Sequence, residues 1–335
     1  MTTQKQTSEK TFRSDQHQPT HQLPQLGISQ CLLGEKVRYD GGHKRDRFLT
    51  DVLGRFVEWV PVCPETEAGL GIPREAMRLV STNGSPHLIT INSKIDHTSL
   101  ITQFSRKKIR ELKKNQLDGY ILKRNSPSCG FHHVRVYTPQ GMPSTSGVGL
   151  FADILQRSLP RLPVEDEGRL QDLSIRENFI ERIFCAHRWN QLQRERLTRG
   201  HIVQFHTQHK YLLLAHSRSH YQQLGRLVAS ANQYTPHQLA DIYGPLFAEA
   251  LQVKATVRKH VNVLQHLLGH LKKLLSKVER DELQESIWDY HRAITPLTVP
   301  LTLISHYVRV FDIEYLSDQV YLNPHPKELM LRNHV

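Results

Sequence analysis

The hydrophobic texture of the chain changes twice from its N-terminus. Residues 1–23 are rich in Gln, Thr, His and Lys with no apolar grouping, the texture of a disordered tail. From residue 24, short apolar runs alternate with longer segments of helical period. Leu26–Gln30 and Phe56–Val62 read as strands that end at Cys31 and Cys63. Leu88–Ile91 reads as a third strand behind a Gly84-Ser85-Pro86 turn. Gly119–Lys123 reads as a fourth, before the loop Ser126-Pro127-Ser128-Cys129-Gly130. Thr98–Asn115, with Ile101, Phe104, Ile109 and Leu112 on roughly one face, predicts a helix, as does Gly147–Arg157. This alternation predicts an α/β fold: a Rossmann-like parallel sheet with covering helices over residues 24–162.

The second change follows Pro160. Residues 163–173 carry Pro163, Gly168 and the acidic run Glu165, Asp166, Glu167, and read as a linker. From residue 174 to 335 the period is helical almost throughout, which predicts an all-α domain. Its clearest case is Leu251–Leu275, where Val253, Val257, Val261, Leu264, Leu268, Leu271 and Leu275 form one apolar stripe. No internal repeat of solenoid length is present.

Composition narrows the class. No apolar run approaches the roughly 18 residues of a membrane span, and Thr295–Ser305 is interrupted by Pro296 and Pro300. Residues 1–23 lack the apolar region of a secretory signal, so a cytoplasmic protein is expected. Four cysteines in 335 residues are too few for a disulfide scaffold, and none stands in a CxxC pair. The formal charge is +12. Residues 171–335 hold 20 Lys/Arg against 15 Asp/Glu and residues 1–170 hold 24 against 17, so the surplus is not confined to one end. A polyanionic partner fits this surplus; plain solubility charge is the blander reading.

Three cysteines stand out by position. Cys31, Cys63 and Cys129 are 32 and 66 residues apart, yet each lies at or just beyond the C-terminal end of an expected strand. In an open parallel sheet those ends share one edge, where ligands bind. Three thiolates there suit a soft metal centre. A 4Fe–4S cluster usually takes four Cys, so three would leave one iron open for Lewis-acid chemistry. The alternative is three unrelated buried thiols. Cys185, between Phe184 and Ala186 in a helical run, reads as a core thiol of the second domain.

The residues around these cysteines carry a resemblance. In order they are Cys31-Leu32-Leu33-Gly34, Val37-Arg38-Tyr39-Asp40-Gly41-Gly42, Pro61-Val62-Cys63-Pro64-Glu65, Gly69-Leu70-Gly71-Ile72-Pro73-Arg74 and Ser126-Pro127-Ser128-Cys129-Gly130. Residues 26 to about 160 thereby resemble the thiouracil desulfidase family. The remainder resembles a second, uncharacterised helical family often fused to the first. Its marks are Arg176-Glu177-Asn178-Phe179, Phe205-His206-Thr207-Gln208-His209-Lys210-Tyr211 and Arg258-Lys259-His260-Val261-Asn262-Val263-Leu264-Gln265-His266. The fused arrangement resembles tRNA 4-thiouridine desulfidases. The resemblance implies a 4Fe–4S cluster held by Cys31, Cys63 and Cys129, with sulfur removed as sulfide.

Roles for neighbouring side chains follow as expectations. Glu65, two residues after a ligand, is the candidate general acid/base, or else an N-cap or surface carboxylate. Ser126 positions water or the base edge, or else closes a turn before Pro127. Arg38, Tyr39 and Asp40 are candidates for the pyrimidine, Tyr39 by stacking and Asp40 at the ring N–H, or else they shape a turn with Gly41 and Gly42. Ser128 joins this substrate-binding set. Arg74 pairs with a phosphate or carboxylate, or simply with Glu75.

Basic residues supply the candidate RNA surface. Arg106, Lys107, Lys108 and Lys113 lie on the expected helix of the first domain. Lys210, Lys254, Arg258, Lys259, Lys272 and Lys273 lie in the second. Leu251–Lys277 holds six Lys/Arg and no Asp/Glu, so its polar side suits phosphate tracking, or is a solvated face. His206, His209 and Tyr211 stack bases or pack helices. The leading expectation is a desulfidase acting on 4-thiouridine in tRNA. The second is one acting on free thiouracil or thiouridine, and the third a non-catalytic RNA-binding protein with a structural cluster.

Overall fold

The computed structural model describes residues 22–82, 84–194 and 197–333. The expected disordered tail, up to residue 21, lies outside the described residues. The first half runs β1 (Gln25–Ser29), β2 (Glu58–Val62), α1 (Pro64–Glu67), β3 (Met77–Thr82), β4 (Ser85–Thr90), α2 (Thr98–Lys114), β5 (Gly119–Leu122), β6 (Val134–Tyr137), β7 (Pro143–Gly147), α3 (Leu150–Ser158) and β8 (Val164–Asp166). The second is helical: α4 (Leu173–Arg194), α5 (Arg199–His216), α6 (Arg218–Ala229), α7 (Pro236–Gln252), α8 (Val257–Leu271), α9 (Lys277–His291), α10 (Thr298–Val310) and α11 (Glu314–Ser317).

Strands β2, β1, β5 and β8 form one sheet in that order, every pair parallel. Side chains alternate across it, as the two-residue period of a strand requires. Tyr120 and Leu122 join Val62 and the apolar faces of α2 and α3, where Ile109, Leu112, Phe151 and Leu155 are buried. Ile121, Leu26 and Ile28 face the opposite core. The expected α/β class and parallel sheet with covering helices are therefore present, with the helical half following.

Four expectations change. Leu88–Ile91 does not extend the parallel sheet. Residues 85–90 form a hairpin with β3, turning at Gly84 (φ +80), in a second sheet of order β4-β3-β6-β7. Residues 163–173 are not a free linker: β8 pairs with β5, and Glu165 and Asp166 are buried. The acidic run hid a three-residue edge strand because its carboxylates meet cations locally, Arg169 Nε donating to Glu165 Oε1 at 2.8 Å. The helix expected over 147–157 starts at Leu150, since Gly147 ends β7.

The stripe from Leu251 to Leu275 is also not one helix. α7 ends at Gln252 and α8 begins at Val257. The break is stabilised from outside, because helix-end carbonyls need donors. Asn178 Nδ2 donates to Leu251 O at 3.0 Å, and His216 Nδ1 lies 2.8 Å from Val253 O. Leu264, Leu268, Leu271 and Leu275 are buried as the stripe requires, while Val253 and Val257 are exposed.

Helix α4 joins the two halves. Its Phe179, Ile180 and Ile183 cover the sheet beside Leu26 and Ile28, while its Cys185 and Trp189 enter the helical core. Cys185 is thus a core thiol, as expected. The chain's end returns to the sheet, with Leu329 and Leu331 in the same cluster as Ile180. No helix among the described residues is long and apolar enough to cross a membrane.

Candidate active site

After β1 the chain turns through a 3-10 segment, Gln30–Leu33, closed by Gly34 at φ +99, which leaves Cys31 at the carboxyl edge of the sheet. Cys63 follows β2 directly and precedes α1, whose first residue, Pro64, fits a position where no N–H donor is required. Cys129 lies in the loop after β5. The sheet order reverses between β1 and β5, and such a switch opens a crevice at the carboxyl ends. All three cysteines line one cavity of about 370 Å³ there. Cys31 and Cys129 are buried and Cys63 is half-buried.

Local bonds fix the Cys129 loop. Ser126 Oγ accepts the N–H of Cys129 (3.0 Å) and of Ser128 (3.3 Å), and Ser126 O accepts the N–H of Gly130 (2.8 Å). A Cβ on Gly130 would lie 2.3 Å from Val134 Cγ2 and 2.6 Å from Ser126 O, so this close turn requires glycine. Burial pushes the Cys31 thiol up to about 11 against the pull of Lys123, and Cys63 adds to the rise. Burial likewise raises Cys129, opposed by a bond with Ser29 and reinforced by Cys63, Glu65 and Cys31. The three thiols therefore share one electrostatic environment.

Glu65 enters the same cavity from α1. Its Oε2 accepts from Arg74 Nε (2.9 Å) and Nη2 (2.5 Å), and its Oε1 accepts from Ser128 Oγ (2.8 Å). The Arg74 guanidinium also donates to Val37 O at 3.1 Å and Gly71 O at 3.3 Å. Both side chains are nearly enclosed, so Arg74 acts as a clamp on Glu65. The carboxylate expected opposite Arg74 is thus Glu65 and not Glu75, which instead accepts from Ser93.

The remaining expected site residues divide. Arg38, Tyr39 and Ser126 line the cavity, with the Arg38 guanidinium 5.6 Å from the Tyr39 ring centroid. Asp40 lies outside the lining, exposed on a turn, where it accepts from Gly42 N–H (3.0 Å) and pairs with Arg38 (3.4 Å). Ser128 is fully buried behind the wall and holds Glu65. Sequence reasoning missed Lys44, Lys123, Arg124 and Asn125, which line the cavity. Lys123 and Arg124 were legible as the end of an expected strand and the residue that follows it into the Cys129 loop. Lys44 carried no signal; its backbone N–H reaches Cys31 O at 2.9 Å only through the folded loop. Among the lining side chains, these cations and Arg38 and Arg74 face one carboxylate, Glu65, so the cavity is cationic.

Residues 26–167 match the 2-thiouracil desulfurase family. Residues 210–326 match a family described as a protein of unknown function, DUF1722. The chain is 34% identical over 160 residues to the uncharacterized protein YbgA of Escherichia coli, covering 47% of this chain and 94% of that protein. It is 30% identical over 146 residues to the uncharacterized protein YbbK of Bacillus subtilis, covering 42% and 95%. A solved structure of the [4Fe-4S]-dependent thiouracil desulfidase TudS is 28% identical, covers 46% of this chain and 97% of its own, and superposes with a TM-score of 0.37.

The chain belongs to the 2-thiouracil desulfurase family.

In this desulfurase-family chain the expected RNA-contacting cations fall into two groups. Arg106, Lys107, Lys113, Lys254, Arg258, Lys272 and Lys273 are exposed. Lys108 instead pairs with Glu67 at 2.7 Å. Lys259 Nζ donates to His216 O at 2.6 Å and so caps α5, and Lys210 lies over the rings of Tyr211 and Tyr315 at 5.2 and 4.8 Å. His209 stacks on Phe205 inside the core, centroids 3.9 Å apart, and His206 lies 3.2 Å from Tyr243 OH. Tyr211 is buried and bonded to His270 at 2.8 Å. These three rings pack helices and are not presented for stacking on bases.

Proposed function

We propose that the protein is a desulfidase that converts 4-thiouridine in tRNA to uridine, with a 4Fe–4S cluster held by Cys31, Cys63 and Cys129. The observation that carries this reading is the convergence of three thiols and one clamped carboxylate on a single cationic cavity. The donor set fits the cluster: three soft sulfur ligands come from three loops, and one coordination position remains for a substrate. When bound, the cluster supplies Lewis acidity toward the soft thione sulfur.

The chain's own residues handle the proton and the ring. The reaction replaces C=S by C=O, and the two protons of water leave with sulfur as hydrogen sulfide, so no oxidant or reductant is consumed. Glu65, oriented by Arg74 and Ser128, takes a proton from the attacking water and returns it to the departing sulfur. Ser126 accepts two backbone N–H groups, which leaves its own O–H free to donate into the cavity. Arg38 and Tyr39 hold the pyrimidine at the mouth. Ligand thiols require a reducing compartment, which supports a cytoplasmic location.

The RNA assignment rests on the cationic rim and on exposed Arg106 and Lys107 of α2. A second reading, free thiouracil as substrate, is favoured by the cavity volume of about 370 Å³, which holds a pyrimidine without its polymer. Anaerobically reconstituted protein is incubated with thiolated tRNA and, separately, with thiouracil, and the products are analysed as nucleosides and free bases. The tRNA reading expects loss of 4-thiouridine, weakening steeply as salt rises, because neutralised phosphates release counterions. Turnover of thiouracil alone would establish the second reading. Full turnover by Cys129→Ala protein would overturn both.

A further inference from the structure

The catalytic cavity occupies the carboxyl edge of the parallel sheet. A second cavity of about 360 Å³ lies at the opposite edge, between the two halves of the chain. Its walls come from residues preceding β5 and β8, from the end of α2, and from α4 and α7. Three cations line it, Lys113, Arg161 and Arg182, and no carboxylate does.

Arg182 makes this charge pattern informative. It is half-buried in the cavity wall, and burial lowers the pKa of its guanidinium. Among the described residues it forms no hydrogen bond and no ion pair. The acid whose field reaches it, Glu165, already accepts from Arg169 Nε at 2.8 Å and from the N–H of Asp166 at 3.1 Å. The Arg182 guanidinium offers five donors that no group among the described residues takes up. An anion in the cavity would satisfy them. Arg161 and Lys113, exposed at the rim and without ion pairs among the described residues, extend the positive field outward.

Two turns further along the same face of α4, the lining becomes aromatic. Trp189 is 7% exposed, stacks on Tyr243 with centroids 5.1 Å apart, and lines the cavity beside Phe247. Gly244 permits this: a Cβ there would meet Trp189 Nε1 at 2.9 Å. A compact cationic end about two helical turns from an aromatic lining, in this volume, matches an anion joined to a planar ring. We propose that this interdomain cavity binds a nucleoside 5′-monophosphate unit, with the phosphate on Arg182, Arg161 and Lys113 and the base against Trp189. The unit is either a free nucleotide or one nucleotide of an RNA chain. The site stands independently of the reaction at the cysteine edge.

Calorimetric titration of the full chain with AMP, adenosine and inorganic phosphate tests the assignment, AMP being chosen because a purine is foreign to the catalytic cavity. AMP is expected to bind more tightly than either fragment. Arg161→Ala and Arg182→Gln are each expected to weaken it by about tenfold or more, the loss of a charge-assisted contact. Arg161 is exposed, so its variant folds even where Arg182→Gln does not. Competition with unmodified tRNA distinguishes the sources: displacement of AMP assigns the site to an RNA nucleotide, and simultaneous binding to a free one. AMP binding unchanged in Arg161→Ala, no AMP binding at millimolar concentration, or phosphate binding as tightly as AMP would overturn the proposal.

Discussion

At the scale of single residues, the decisive arrangement is Glu65 between Arg74 and Ser128. A carboxylate beside buried thiols is held as an oriented anion only if most of its lone pairs are occupied, and here three donors do so and leave one free for a proton. Arg74 does this with a planar fork that a lysine cannot reproduce. Arg74→Met leaves Glu65 nearly enclosed without its cation, and the expected loss of folding stability is about 3 kcal/mol. Urea unfolding of the two proteins measures it; a midpoint within experimental scatter of the parent would show that the clamp is not structural. Ser128→Ala is milder. It is expected to lower kcat by about tenfold with little change in KM, since one bond to a charged group is lost without touching substrate. The cysteines and Glu65 were legible because strand ends and turn residues mark them along the chain. The Arg74–Glu65 pairing was not, because only the folded loop shows which of two nearby glutamates faces the arginine. Nor was the burial of Ser128, one residue from a cavity-lining cysteine.

At the scale of elements, helix α4 carries a charge arrangement that makes stability depend on pH. Glu177 and Glu181, one turn apart, share Arg332 from the chain's end, with Arg332 Nε 3.4 Å from Glu177 Oε1. Burial raises the Glu181 carboxyl, but Arg332 and His216 outweigh it and hold Glu181 well below the usual range. Glu177 is left with the weaker share: burial and the Glu181 charge push it from 4.5 up to about 7, against Arg332 and His216. Between those values the folded chain keeps a proton that the unfolded chain releases, so stability falls as pH rises through the window. The buried histidines act in the other direction. Burial lowers His206 and His325 from 6.5 to about 4 and His209 to about 3. Below about 6.5 the unfolded chain takes up protons that these rings refuse, and stability falls as pH drops. The two slopes leave a maximum near neutrality. Glu177→Gln is expected to match the parent near pH 5 and to exceed it by about 1–3 kcal/mol at pH 8. Chemical denaturation across that range checks the sign, and a constant difference would refute it. The helical pattern along α4 was readable in sequence, but its charge pairing was not, because Arg332 lies 151 residues from Glu181. The same limit hid the break between α7 and α8, which depends on side chains of α4 and α5.

At the scale of the whole molecule, the boundary suggested by composition falls just before an edge strand of the sheet. A cut near residue 162 looks clean in sequence, since Pro160, Pro163 and an acidic run follow the last strong helix. The fold places an edge strand, β8, just beyond that point and then covers one face of the sheet with α4 and the chain's end. Leu26, Ile28, Leu32 and Ile121 are fully buried, and Phe179, Ile180, Ile183, Leu329 and Leu331 belong to the same cluster. Covering a large apolar side chain contributes roughly 1.5–3 kcal/mol, so removing several of these exceeds the stability of an ordinary domain. Asp118 adds a polar tie across the boundary, bonded to His187 at 2.8 Å and Asn190 Nδ2 at 2.8 Å. A chain ending at residue 172 keeps every strand but loses this layer. It is expected to bind an apolar dye, to melt at least 10 °C lower than the full chain or not cooperatively at all, and to hold iron poorly after reconstitution. Extending the same fragment to residue 194 restores α4 and is expected to recover part of the cooperativity, though not the contacts of Leu329 and Leu331. A 172-residue fragment that melts like the intact protein would mean that the helical half is an appended module. The interdomain cavity would then lie between independent bodies, and α4 would not be a structural layer of the desulfurase domain.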